Sequence, residues 1–177
     1  MTPPAPAIAV RHKSSGYSPR LRVAPESRRP RPVDGAWWPH GDDLVAELPD
    51  LLAVLTARLG PIDRVIYHLD TWAPAPGKAA IEGRRVHLDG YRYRPAHTID
   101  VVPLRGTALA LLIIPPHTTR DSAEAAMTAA ADPHNASTAA SLLAFTAPQH
   151  DEVGVEIGGA EQRWESEGGS TPYSSRN

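Results

Sequence analysis

The stretch Thr107–Pro116, TALALLIIPP, decides the fold. From Leu109 to Ile114 every position is apolar, and Pro115-Pro116 stops the run before it reaches the length of a helix. A short apolar run with no polar face reads as a strand covered on both sides, so this segment is the expected centre of a sheet. The rest of the chain can be arranged around it.

Immediately upstream, HTIDVVPL (His97–Leu104) supplies another strand, and Pro103 favours a sheet edge or a strand end because proline donates no ladder hydrogen bond. In RVIYHLD (Arg64–Asp70), Val65, Tyr67 and Leu69 share one face while Ile66, His68 and Asp70 share the other, as in a strand well inside the sheet. AAIEGRRVHLDGY (Ala79–Tyr91) reads as a hairpin turning at Glu82-Gly83. RLRV (Arg20–Val23) alternates charge with apolar side chains, which predicts a half-buried strand whose arginines face water.

Three helices complete the pattern. In DDLVAELPDLLAVLTARLG (Asp42–Gly60), Leu44, Leu48, Leu51, Leu52, Leu55 and Leu59 recur at helical spacing, behind Asp42 or Asp43 as the cap and ahead of Gly60-Pro61 as the stop. Pro49 either kinks that helix or divides it in two. A second helix begins within TTRDSAEAAMTAAAD, capped by Thr118, Thr119 or Asp121, with Glu124 placed for a capping box with Asp121. ASTAASLLAF, behind Asn135 or Ser137, gives the third. Strands joined by short turns predict an α+β fold, mainly an antiparallel sheet of about five to six strands with the helices packed on one face.

Charge is distributed unevenly around this domain. Residues 1–33 carry seven Lys/Arg against one Glu, whereas residues 34–147 and 148–177 are each net −4, giving −2 overall. Residues 1–18 read as a disordered basic arm, 19–146 as a single domain, and 147–177 as a disordered acidic tail. The chain has no cysteine, so disulfides, thiol nucleophiles and cysteine-ligated zinc are excluded. No apolar run approaches the ~20 residues of a membrane helix, and the prolines of the first residues do not fit a signal peptide, which makes the cytoplasm the expected location. The metal expectation is none: His40, His68, Asp70 and His117 have no clustered ligand spacing. No glycine-rich phosphate loop or nucleophile elbow occurs, and no cofactor is expected.

DGAWWPHGDDLVAELPDLLAVLTARLG, RVIYHLDTWAPAP, LLIIPPHT and the alanine-rich EAAMTAAAD together resemble a small actinobacterial family catalogued as a domain of unknown function. The resemblance covers roughly residues 19 to 145. It implies the domain boundaries and an actinobacterial origin, and it brings no activity with it.

DGAWWP also carries the candidate site. Pro39 pushes Trp38 into an extended conformation, and neighbours in an extended chain point oppositely, so one of Trp37 and Trp38 should enter the core while the other faces outward. If this loop and the one after Leu69 share an end of the sheet, Asp34, Trp37, Trp38, His40, Asp70 and Trp72 would line an aromatic, acidic contact surface for a small molecule or protein partner. The competing reading packs all three indoles over the end of the sheet with their N–H groups on carboxylates. The expected function is a non-catalytic binding or regulatory module. Two alternatives stand beside it: a small enzyme using Asp34, Asp70 and His40, and a weak binder of anions or nucleic acid through RRPRP and the YRYR run at Tyr91–Arg94. The acidic domain and tail argue against nucleic acid.

Overall fold

Among the described residues seven strands and three α-helices follow in the order β1 (Arg20–Val23), β2 (Gly35–Trp38), α1 (Leu44–Leu59), β3 (Ile62–His68), β4 (Lys78–Ile81), β5 (Arg84–Tyr91), β6 (Thr98–Pro103), β7 (Leu109–Ile113), α2 (Arg120–Ala130) and α3 (Ala139–Ala144), with one 3-10 turn at Leu69–Thr71 after β3. This computed structural model describes residues 19–26, 30–144 and 146, all within one compact unit spanning 1–147. The expected basic arm and acidic tail lie outside the described residues.

All seven strands join one sheet in the order β1-β2-β7-β6-β3-β5-β4. Its α+β class agrees with the sequence, but three finer expectations are corrected. The sheet is mixed, because β2 pairs with β7 and β3 with β5 in parallel. It has seven strands because Gly35–Trp38, the tryptophan stretch itself, is one of them. The helices lie on both faces. In the first layer α1 packs on Trp37, Val65, Tyr67, Leu88, Ile99, Val101, Leu111 and Ile113. On the opposite face α2 and α3 pack on Ala36, Trp38, Leu112 and Ile114.

Strand β7 is interior and buried on both faces, as its sequence requires, but the middle position of the seven belongs to β6. Pro103 is tolerated there because it is the last residue of β6. Glu82 (φ 48) and Gly83 (φ 76) both take left-handed conformations at the β4–β5 turn, matching the twist a two-residue hairpin needs. Helix α1 runs unbroken through Pro49, with Asp43 accepting from the Val45 and Ala46 N–H groups. Thr119 caps α2 by accepting from Ser122, so Asp121 lies in its first turn and forms no capping box. Thr138, rather than Asn135 or Ser137, accepts from Ser141 at the start of α3.

Of the two arginines of β1, Arg22 is exposed as expected, whereas Arg20 is half-buried. Arg20 lies across from Trp38, with its guanidinium 3.5 Å from the indole centroid, and donates to the Trp38 and Pro39 carbonyls at 3.0 and 2.7 Å. Arg22 donates to Thr128 Oγ1 on α2 at 2.7 Å. An alternating strand assigns its charged face to water only when nothing covers that face, and here α2 approaches it.

Candidate functional site

The pairings of β2, β7, β6, β3 and β5 make β2, β3, β5 and β7 run in one direction, so their carboxyl ends lie along one edge of the sheet. Ligands of open α/β sheets characteristically bind outside that edge. A cleft of about 420 Å³ lies there, bounded by the loops after β2, β3 and β7 and by the turn before β6. That volume falls in the ordinary range for small-molecule sites.

Backbone bonds fix these loops to one another. Ala73 N–H donates to the Asp42 carbonyl at 2.9 Å, Ile113 N–H to the His97 carbonyl at 2.7 Å, and Ile114 N–H to the Trp37 carbonyl at 2.9 Å. The wall is largely apolar, with Trp72, Ile113, Pro115 and Pro116, and its polar groups are Asp42, Thr71, His97 and His117. Trp72 is 7% exposed and stacks on Trp37 with ring centroids 5.4 Å apart. Its indole Nε1 and the Nδ1 of His97 are buried without a hydrogen-bond partner among the described residues. Such orphan groups are scarce in folded proteins because each forgoes its bonds to water. His97 also takes a left-handed conformation (φ 57), and its N–H donates to Thr71 Oγ1 at 3.3 Å.

Burial, aided by nearby His68, holds the His97 pKa below its ordinary 6.5. The folded chain therefore resists a proton that the unfolded chain accepts. Stability is then independent of this group above the unfolded value, and it falls as the pH drops below about 6.5 until the folded pKa is reached. Urea midpoints measured from pH 7.5 to 5 should fall more steeply for the wild type than for His97→Asn, which tolerates the left-handed backbone. Equal slopes would show that His97 is not the group responsible.

The six sequence-predicted site residues do not converge. Trp37 (1% exposed) and Trp38 (7%) point to opposite faces as expected, but both faces are covered at this point, so neither indole is available at the surface. Trp38 Nε1–H donates to the Pro116 carbonyl at 3.4 Å, not to a carboxylate. Of the six, only Trp72 lines the cleft. His40 donates its backbone N–H to Glu47 at 3.0 Å. Asp70 is two-thirds exposed, 3.8 Å from Arg92. Asp34 precedes β2 at the other end of the sheet, where its Oδ2 accepts from Ala110 N–H at 3.0 Å. The enzyme alternative needed Asp34, Asp70 and His40 at one substrate atom, and the sheet places Asp34 at the opposite end from His40 and Asp70.

His68 ends β3, where its Nδ1 accepts from the Asp70 N–H at 3.3 Å and its Nε2 lies 3.1 Å from the Arg92 carbonyl. Among the described residues no three His, Asp or Glu side chains gather as a metal site would require. Tyr91 and Tyr93 do share a side, with rings 5.0 Å apart, while Arg92 and Arg94 face Asp70 and Asp100. Those carboxylates weaken any phosphate platform at YRYR. No helix of the described residues is long and apolar enough to cross a membrane.

Sequence reasoning missed His97 entirely and considered His117 only as a metal ligand. The available signal was the turn R-P-A-H before a strand, facing a Pro-Pro stop in the neighbouring strand. No curated protein and no solved structure matches this chain. A family model described as a family of unknown function, DUF5994, matches residues 20–130, from the start of β1 to the end of α2. With that match covering more than half its length, the chain belongs to DUF5994.

Proposed function

We propose that this chain is a non-catalytic binding or regulatory module that holds a small ligand in the cleft at the carboxyl ends of β2, β3 and β7. The observation that carries the reading is the pair of buried nitrogens without a partner among the described residues, Trp72 Nε1 and His97 Nδ1, on side chains that line the cleft. An acceptor reaching the indole N–H would relieve an unmet bond worth about 1–3 kcal/mol. The prolines, Ile113 and the indole face suit a flat, mostly apolar body. The ligand class is therefore a small, largely uncharged planar molecule bearing a hydrogen-bond acceptor.

This reading retains Trp72 from the expected aromatic surface and replaces the other five residues with Asp42, Thr71, His97 and His117. The remaining parts of the proposal rest on sequence: a single domain over residues 19–146, flanked by a basic arm and an acidic tail, in the cytoplasm of an actinobacterium. The test is a fragment screen by NMR with the indole N–H resonance of Trp72 as the reporter. Fragments of the stated class should move that resonance, and Trp72→Phe should weaken them about tenfold, the effect of one hydrogen bond. His117→Trp, a change at an exposed position, should hinder entry to the cleft. A screen whose hits leave the Trp72 resonance unmoved would remove the proposal.

A further inference from the structure

A second and larger cavity, about 740 Å³, opens at the other end of β2 and β7. It is bordered by the segment after β1, the end of α1 and the β6–β7 loop. Three arginines line it: Arg31 from RRPRP, Arg58 from the last turn of α1, and Arg105 from the β6–β7 loop. Arg58 is partly engaged, donating to the Ala24 carbonyl at 2.8 Å. Arg31 is the unusual one. Its side chain is only 5% exposed, yet among the described residues its nearest carboxylate oxygen, Asp34 Oδ1, is 3.8 Å away, and its Nη2 donates only to the Pro25 carbonyl at 3.0 Å. Nε and Nη1 are buried without a partner among the described residues.

A guanidinium cannot shed its charge when buried, so its unused donors and its poorly neutralised cation are costly unless an anion joins them. Asp34 is a weak counter-ion, because its other oxygen is committed to the Ala110 N–H at 3.0 Å. Glu26 also lines the cavity, as an exposed residue at its margin. The three arginines therefore outweigh the two carboxylates. Pro25, Leu59 and Leu109 add apolar wall for the body of a ligand.

We infer that this cavity binds a small metabolite bearing an oxyanion, either phosphate or carboxylate, against Arg31, with Arg58 and Arg105 completing the charge match. The site stands apart from the aromatic cleft, at the opposite ends of the same two strands, and does not depend on it.

Thermal unfolding of the full chain in inorganic phosphate, acetate and chloride at matched ionic strength tests it. Phosphate or acetate should raise the midpoint above chloride, and whichever acts at lower concentration identifies the head group. Because phosphate stabilises many proteins by exclusion from their surfaces, the variants decide the outcome. Arg105→Gln, at an exposed position, should weaken the apparent affinity about tenfold, and Arg31→Gln should abolish the effect. If Arg31→Gln fails to fold, Arg105→Gln carries the test alone. Arg120→Gln, on the exposed side of α2, should bind like the wild type. Equal stabilisation of wild type and Arg105→Gln, or a loss in Arg120→Gln as large as in Arg105→Gln, would overturn the inference.

Discussion

Trp37→Ala is expected to cost about 4 kcal/mol of folding stability, the usual effect of removing a large buried aromatic. The ring is 1% exposed, lies in the layer beneath α1, and stacks on Trp72, so its loss leaves a cavity and removes an aromatic partner. Trp38→Ala should cost nearly as much, about 3 kcal/mol, through the layer beneath α2 and α3. Against a typical total of about 5–15 kcal/mol, either change removes a large share. Urea unfolding of the two variants checks both layers together. A near-neutral Trp38→Ala would mean that the second helical layer does not cover β2.

Gly35→Ala is the second large expectation, at about 3 kcal/mol. Gly35 pairs with Val23 across the β1–β2 ladder. A methyl group there would overlap the Arg22 carbonyl oxygen and approach the Val23 Cα to 2.8 Å. Both obstacles are backbone atoms, so relief requires β1 to move away from β2. That movement would disturb Arg20, which is held on Trp38, and Arg22, which is held on Thr128. Gly77→Ala is the internal comparison, since an added methyl there meets nothing within 4 Å. The urea midpoint should drop sharply for Gly35→Ala and barely move for Gly77→Ala. Similar midpoints in the two variants would show that the close approach of β1 to β2 is not maintained in solution.

These residues also show what sequence can convey. Leu109 to Ile114 announced a strand buried on both faces, and the alternation of Val65 and Tyr67 announced another, because side-chain period is a local property. The opposed directions of Trp37 and Trp38 were equally legible. Their common burial was not, since it depends on α2, whose small alanines give little hint that they cover a sheet. Strand β2 escaped notice because four residues between an aspartate and a proline look like a turn. Its parallel partner, β7, lies more than 70 positions away, and no local pattern reports so distant a pairing. The cleft was legible only at Trp72, because its other residues come from separate loops that the mixed sheet brings to one edge.

The order in which the chain visits its layers has a consequence for biosynthesis. β7 precedes α2 and α3, so every strand and α1 leave the ribosome before the second helical cover exists. For that interval Trp38, Leu112 and Ile114 form a bare greasy panel on a nearly complete nascent domain. Chains grow at roughly 5–20 residues per second, so the panel is uncovered for seconds. Within that time α2 must close over it before a neighbouring nascent chain or a chaperone does.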